Sequence, residues 1–392
     1  MGYHSNGSEL AEDGAKAISK NDMPSHFKRS IANKGSENTI ITLRGNVVEN
    51  THRIHAAVTS STGHLLYSLG DASRVVLARS AAKPIQSLAI LQTGAAAQFN
   101  LSDADIALMS ASHNSEPRHI LRAQDMLRRT GAKEEDLACG GHPSISPTVN
   151  RGWIKQDFSP TAICNNCSGK HAGMIAGAVA LGAPVKGYHE PGHPMQQAVK
   201  LAVEETSGLT GEEVLWAVDG CNLPAPALPL KNMATMYAKL ADACDGGDEK
   251  KGTEEQIRRE MLARIHRSMA AYPEMVGGEG RFCTELMDAY QGLLVGKVGA
   301  DGCYGVAIRV RQAGASNKGE KGRALGIAVK VEDGNLDILY SAIVEILEIL
   351  DVGSREIRQK LEAFHHPPIV NTAGVVTGGY RHGFKLRERE CQ

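Results

Sequence analysis

A serine and a lysine spaced three residues apart, Ser80 and Lys83, stand at the start of a helical pattern that directly follows a strand pattern. Because positions i and i+3 share one helix face, a neutral lysine amine could accept the serine proton, and the positive end of the helix would stabilise the alkoxide. The alternative is an ordinary helix cap beside a solvated lysine. A second match, Ser25-His-Phe-Lys28, lies in a polar N-terminal segment and shows how readily this pattern arises by chance.

Two more short patterns complete an ordered set. Ser112-His-Asn114 follows an apolar run at 105–110 that we predict to be a strand, and Lys297-Val-Gly299 ends another predicted strand. Ser-x-x-Lys, Ser-x-Asn and Lys-x-Gly in this order are typical of serine β-lactamases and penicillin-binding proteins. The second serine could relay a proton to a leaving nitrogen, the asparagine could bind substrate, and the second lysine could supply positive charge. The N–H groups of Ser80 and Ala300 would form an oxyanion hole. Coincidence remains the alternative.

Cysteines supply the next candidate site, since eight in 392 residues are too few for a disulfide scaffold. Cys164 and Cys167 precede a Gly/Ala-rich helix, His171 lies within it, and Cys221 follows a predicted strand. Thiolates bind Zn²⁺ well, and a helix N-terminus lowers the pKa of a thiol, so these four residues are candidate zinc ligands. A redox Cys-x-x-Cys would need a thioredoxin-like βαβ setting, which the neighbouring sequence does not offer. Buried, unreactive cysteine stays open as an alternative.

Two other patterns are not interpreted as sites. His189-Glu-Pro-Gly-His193 matches the zinc-protease motif, but Pro191 and Gly192 interrupt the continuous helix that this mechanism needs. The glycine-rich run at 277–280 follows no strand with dinucleotide-binding spacing. We predict a turn there that brings Arg281 near the cleft.

The hydrophobic periodicity predicts the framework that must position these residues. Residues 1–37 form a polar arm that we expect to be disordered. β-Branched runs predict antiparallel strands at 40–48, 55–60, 64–69, 74–78, 292–298, 303–310 and 323–332, with a hairpin turn at Thr62-Gly63. Helical periodicity predicts helices at 81–97, 117–129, 168–181, 195–205, 228–243 and 254–271, and a last helix at 336–350.

This order of elements predicts an α+β fold. Residues 38–392 would form a single two-lobed catalytic domain, with an antiparallel sheet lobe built from about 40–79 and 292–332 and the central helices as a helical lobe. Helix 336–350 would close the sheet, and the cleft between the lobes would hold the site. The polar runs at 245–252 and 311–322 are expected to be surface loops.

The composition excludes several classes of protein. The net charge is −1 and neither sign is concentrated in one region, so we expect no nucleic-acid or anionic-membrane partner. No segment has the apolar core of a signal peptide or the roughly 18 uninterrupted apolar residues of a membrane-spanning helix. We therefore expect a cytoplasmic protein.

Six segments together resemble the Rhizobium etli-type L-asparaginases over essentially the whole chain from about Ile40. They are ARSAAKPIQ, SASHNSEPRH, NNCSGKHAGM, VDGCNLPAPALPL, MVGGEGRF and GKVGADGCYG. The resemblance implies a fold similar to serine β-lactamases and penicillin-binding proteins, a homodimer, and hydrolysis of L-asparagine to L-aspartate and ammonia. β-Lactam turnover is not expected, because no Glu-x-x-x-Asn acid of the class A enzymes is found.

The resemblance also assigns roles to individual residues. It implies one Ser-Lys pair of Ser80 and Lys83, with Ser80 as nucleophile, and a second pair of Ser112 and Lys297.

A zinc site of Cys167, Lys170 and Cys221 is implied beside the substrate pocket, with Lys170 replacing Cys164 and His171 in the ligand set above. Asp219 and His171 would orient ligand or water, and Arg79 would bind the α-carboxylate. Two rival functions remain, a serine glutaminase of related fold and a catalytically silent zinc-binding protein.

Overall fold

The computed structural model describes residues 38–245, 252–309 and 324–389. The predicted N-terminal arm and most of the two predicted loops lie outside these ranges. The strands of the described residues are β1 (Thr39–Arg44), β2 (Val47–Ser60), β3 (Leu65–Leu69), β4 (Val75–Leu77), β5 (Leu215–Val218), β6 (Pro224–Pro229), β7 (Leu294–Gly299), β8 (Cys303–Ile308), β9 (Leu325–Val331), β10 (Ile369–Val370), β11 (Val376–His382) and β12 (Arg387–Glu388).

The main sheet joins the N-terminal and C-terminal strand sets, as the element order predicts. Its strands follow the order β10-β11-β1-β2-β9-β8-β7, and its pairs are antiparallel. Outside this order, β3 pairs with β2, and β12 pairs with β3. Strand β2 is long enough to pair with β1 through its first half and with β9 through its second, where Ile54 faces Val331 and Ser60 faces Leu325. The sheet curls around this strand, and the fold is mixed α and β.

Three features of the sheets differ from the prediction. β4 does not continue the main sheet but forms a separate sheet with order β4-β6-β5. β6 has the sequence PAPALP, whose prolines argue against a strand, so this strand is not predicted from the pattern. Strands β10 and β11 were not predicted either, and they extend the main sheet beyond β1.

Helices fill the middle of the chain, as predicted. They are α1 (Lys83–Gln92), α2 (Ala95–Gln98), α3 (Asp103–Met109), α4 (Pro117–Thr130), α5 (Pro147–Lys155), α6 (Ser168–Ala180), α7 (Pro194–Ser207), α8 (Leu230–Asp242), α9 (Glu254–Ala271), α10 (Pro273–Val276), α11 (Phe282–Tyr290), α12 (Leu336–Ile349), α13 (Arg355–Gln359) and α14 (Glu362–His365). Helix α12 confirms the predicted closing helix. Within the described ranges, no helix is long and apolar enough to cross a membrane.

The strand predicted at 105–110 is wrong, because these residues belong to helix α3. A capping box starts that helix: the Asp105 N–H donates to Ser102 Oγ at 3.3 Å, and the Ser102 N–H donates to Asp105 Oδ2 at 2.8 Å. A short apolar run does not by itself distinguish a buried strand from a buried helix. The reciprocal cap favours the helix.

Helix α8 packs on the inner face of the main sheet, and two strand glycines permit the close contact. A Cβ at Gly326 would lie 1.9 Å from the Ala234 carbonyl oxygen, and one at Gly305 would lie 2.0 Å from the Tyr237 ring. The Tyr237 hydroxyl then donates to the Ala81 carbonyl oxygen at 2.6 Å. This bond ties the sheet layer to the turn that carries Ser80.

Candidate functional site

Ser80 lies in a 3-10 turn, Arg79–Ala82, between β4 and α1. The turn is fixed at its start by the Ala78 N–H, which donates to the Pro226 carbonyl oxygen at 2.9 Å. At its end, the backbone N–H of Lys83 donates to the Ser80 carbonyl oxygen. The Ser80 side chain is half-buried, and the Lys83 side chain is fully buried.

The Lys83 amine does not hydrogen-bond to Ser80. Among the described residues it donates to the carbonyl oxygen of Ala111, to Ser112 Oγ at 3.1 Å and to Cys167 Sγ at 3.1 Å. Burial lowers the pKa of Lys83, which favours the neutral amine. The Lys83 amine therefore contacts both the second serine and the cysteine group.

Lys297 contacts the same serine. It lies on β7, whose six residues are all buried, and its Nζ donates to Ser112 Oγ at 2.9 Å and to the Val298 carbonyl oxygen at 2.7 Å. Burial lowers the pKa of Lys297 to about 7. Ser112, only 6% exposed, is thus held between two buried amines.

Asn114 supports a turn. Its Nδ2 donates to Glu116 Oε1 at 3.2 Å and to the Glu279 carbonyl oxygen at 3.1 Å, while its Oδ1 accepts from Arg281 Nη1 at 3.0 Å. Gly278 has a φ of +106°, and a Cβ there would lie 2.5 Å from the Asn114 amide nitrogen. The run at 277–280 forms the predicted turn, and Arg281 after it contacts Asn114.

Cys167, Lys170 and Cys221 converge at the N-terminus of α6. Cys167 is the cap residue of this helix, and Lys170 Nζ donates to Cys221 Sγ at 3.2 Å. Helix α6 packs closely on α3, because a Cβ at Gly169 would lie 2.6 Å from the Leu108 carbonyl oxygen and one at Gly173 would lie 2.4 Å from Met109 Sδ. All three converging side chains are buried.

The two thiols contact each other. The hydrogen bond from Cys167 lowers the pKa of Cys221, and the positive charge of Lys170 lowers it further against the effect of burial. The same hydrogen bond, together with burial, raises the pKa of Cys167. Burial acts to lower the pKa of Lys170, but the adjacent thiolate charge outweighs it and raises that pKa. In the absence of a metal these shifts favour a thiolate at Cys221 that accepts the hydrogen bond from Lys170.

Cysteines outside this group differ in their distance from it. Cys164 lies in a separate 3-10 turn, Ala162–Cys164, where burial raises its pKa. Cys139, whose spacing gave no signal, is nearer: burial and then the charges of Cys167 and Cys221 raise its pKa to about 12. The described cysteines are free thiols.

His171 is a neutral residue beside the cysteine group. Burial lowers its pKa to about 3, and its Nδ1 lies 2.5 Å from the Tyr188 hydroxyl. His189 and His193 both precede helix α7, and His193 caps it. They do not share a helix face, in agreement with the prediction.

Arg79 lies between two carboxylates at the edge of the site. It adopts a left-handed backbone conformation with φ +50°, its Nε donates to Asp219, and its Nη1 lies 2.5 Å from Asp301 Oδ2. Burial acts to raise the pKa of Asp219, but Lys170 and Arg79 outweigh it and hold that pKa low. Asp301, a partner that the sequence pattern did not indicate, is 74% exposed.

The end of β7 packs against the turn that carries Ser80. A Cβ at Gly299 would lie 2.4 Å from the Ala78 carbonyl oxygen and 3.2 Å from the Ala81 nitrogen, so only glycine permits this approach. Ala300 follows directly and is exposed. Direct contacts join Lys83 and Lys297 to Ser112, Lys83 to Cys167, Lys170 to Cys221, and Arg79 to Asp219.

Comparisons with known proteins give one informative match. A family model described as L-asparaginase II matches residues 40–382. The solved structure "Crystal Structure Analysis of Mglu in its native form" is 14% identical, with a TM-score of 0.37 over 83% of this chain and 72% of that chain. A likeness at this level carries no conclusion. No curated protein sequence matches the chain.

Proposed function

The chain belongs to the L-asparaginase II family, and we propose that it is an L-asparaginase of the Rhizobium etli type with a serine β-lactamase-like fold. It would convert L-asparagine to L-aspartate and ammonia through an acyl-enzyme on Ser80. One observation carries the proposal: Ser112 Oγ lies within 3.1 Å of both buried lysine amines. The homodimer and the cytoplasmic location stay predictions.

The proposed mechanism divides the work between the two serines. A nucleophile must be reached by the substrate, so the half-buried Ser80 is proposed to attack the side-chain amide carbon. The Lys83 amine first turns from Ser112 to Ser80 and, as a neutral amine, takes the Ser80 proton. The oxyanion accepts hydrogen bonds from the N–H groups of Ser80 and Ala300. Ser112 then donates its proton to the departing ammonia and receives a proton from the Lys297 amine. Water hydrolyses the acyl-enzyme by the reverse of these steps.

The cysteine group fits a zinc ion. Tetrahedral bonds of ordinary length to sulfur and nitrogen place those two ligands about 3.5 Å apart, close to the 3.2 Å between Lys170 Nζ and Cys221 Sγ. Cys167, Lys170 and Cys221 would hold the ion, with Lys170 as the neutral amine. Bound there, zinc would supply a Lewis-acidic point that orders the substrate pocket.

Asparagine should be preferred to glutamine by about 10²-fold or more in kcat/KM. Burial of one methylene is worth only about 0.8 kcal/mol, so contact energy discriminates poorly. If Arg79 releases the exposed Asp301 and binds the α-carboxylate instead, the anchor fixes how far the amide lies from Ser80. The extra methylene of glutamine would misplace its carbonyl by about 1 Å, which can cost roughly 10²-fold in rate.

Ammonia release from purified protein on the two amino acids measures this preference. Equal kcat/KM values would support the serine glutaminase. Binding of asparagine without ammonia release would support the silent zinc-binding protein.

Cys167→Ser and Cys221→Ser should each remove about one zinc ion per chain from protein purified without added metal. Elemental analysis measures the loss, and Cys244→Ser, at a half-buried thiol outside the group, is the matched control. Because the proposed ion orders the substrate pocket, its loss should raise KM more than it lowers kcat. Full activity in protein that contains no metal would contradict the zinc proposal.

A further inference from the structure

Three histidines meet at the opposite end of the main sheet from Ser80. His365 ends helix α14, His366 follows it, and His382 ends strand β11. One nitrogen of each ring lies within 4.8 Å of the others, and the ring centroids of His365 and His382 are 5.0 Å apart. This histidine cluster was not predicted, because the third ring is 16 residues beyond the adjacent pair.

Helix α12 presents Glu345 to the histidine cluster. Glu345 Oε2 lies 2.7 Å from His365 Nε2 and 3.4 Å from His382 Nδ1. Glu348, one turn further along α12, lies 3.8 Å from His365 Nδ1. The three rings therefore surround one partly buried carboxylate, with a second carboxylate at the rim.

The hydrogen bonds around His382 determine which of its nitrogens carries hydrogen. Ser341 Oγ has a single proton, which it donates to the His365 carbonyl oxygen at 2.6 Å. It must therefore accept at its other contact, the 2.7 Å bond with His382 Nε2, so Nε2 carries the hydrogen. In the neutral ring, the lone pair of Nδ1 then faces a Glu345 oxygen. The lone pairs of His382 Nδ1 and the Glu345 oxygen repel each other, and a cation between these two atoms would remove the repulsion.

We propose that His365, His366, His382 and Glu345 bind a divalent transition-metal ion such as Zn²⁺. Imidazole nitrogens with one carboxylate are ligands that such ions favour. The 3.4 Å between His382 Nδ1 and Glu345 Oε2 equals the spacing of about 3.4 Å between two tetrahedral ligands at ordinary bond lengths. His366 is exposed, which gives the ion access from solvent. Entry requires the bond between His365 Nε2 and Glu345 to open.

A proton on His382 Nδ1 is the competing cation, and a Tm that responds to pH but not to added metal would reveal it. The metal would fasten β11 and α14 to α12. Five inter-strand steps separate β11 from β7, or about 24 Å, so this ion would be structural and independent of the candidate site.

The test uses the untagged full chain, stripped of metal by a chelator and titrated with Co²⁺ and then Zn²⁺. One Co²⁺ should bind without the thiolate charge-transfer absorption that a cysteine-bound ion would show, and it should still bind to Cys221→Ser. His366→Ala should lower the affinity for this ion at least about 100-fold, since loss of even an outer-shell partner commonly lowers metal affinity 10- to 100-fold. Zn²⁺ should raise the Tm of the wild type but not of His366→Ala.

His366→Ala is suited to this test because His366 is exposed, and His382→Gln provides a second probe. His64→Ala, in the turn between β2 and β3, is the matched control and should bind metal as the wild type does. Metal content and Tm response unchanged in both cluster variants would overturn the proposal, as would a Tm that responds to pH alone. Loss of the thiolate absorption would concern only the cysteine site.

Discussion

Ser80→Ala should abolish asparagine hydrolysis, lowering kcat by about 10³-fold or more, the scale at which covalent hydrolases respond to loss of the nucleophile. The reason is access together with chemistry: Ser80 is half-buried at the start of α1, whereas Ser112 is buried between two amines. Steady-state ammonia release measures the loss. Circular dichroism of the variant establishes that it is folded.

Ser25→Ala is the matched control for this variant, because Ser25 and Lys28 repeat the same spacing in the N-terminal segment. It should leave kcat unchanged. Near-normal turnover by folded Ser80→Ala would transfer the role of nucleophile to Ser112. Mass spectrometry of the protein quenched during turnover would then find the acyl group on the Ser112 peptide.

Lys297→Met should lower kcat by about 10²- to 10⁴-fold, the usual contribution of one acid–base group, without lowering stability at pH 7. Methionine fills the buried space without an amine to desolvate. Since burial lowers the pKa of Lys297 from 10.5 to about 7, the unfolded wild type binds more protons than the folded protein between these two values. Wild-type stability should therefore rise from pH 7 towards pH 10, and Lys297→Met should remove that part of the rise.

Urea unfolding at pH 7 and at pH 9.5 measures both effects. Lys231→Met, at an exposed lysine at the start of α8, is the control and should leave the pH dependence unchanged. If Lys297→Met unfolds more readily than the wild type at pH 7 and keeps the same pH dependence, the buried amine stabilises the fold. Its role as a tuned proton donor would then be contradicted.

The sequence predicts the positions of most strands and helices better than the way in which they pair and pack. Apolar runs bounded by turn residues predict β8, β9 and the second half of β2, whereas the strand predicted at 40–48 is divided between β1 and the start of β2. The prolines of β6 argue against a strand where one forms, and the apolar run in α3 resembles a strand although it forms a helix. In both cases the deciding information is local hydrogen bonding or tertiary pairing, which a hydrophobic pattern does not contain.

At the candidate site, too, the sequence predicts some features and not others. Spacing selects Ser80, Lys83, Ser112 and Lys297 as candidates, and the structure brings Lys83 and Lys297 into contact with Ser112. Spacing does not reveal that the Lys83 amine extends past its own helix turn to Ser112 and Cys167. Nor does it reveal Asp301 beside Arg79, since contacts between residues 222 positions apart depend on how the sheet edge meets the turn.

The close contact between α6 and α3 has a consequence for engineering a longer-lived enzyme. Alanine in place of glycine within a helix ordinarily gains about 0.5–1 kcal/mol, and α6 offers glycines that invite this change. At Gly169 the new methyl group would collide with the backbone of Leu108, which cannot swing aside. Relief would displace the first turn of α6, and with it Cys167 and Lys170. Designs that introduce alanine at these positions would therefore lose catalytic activity. Substitutions meant to raise stability should be made in other helices.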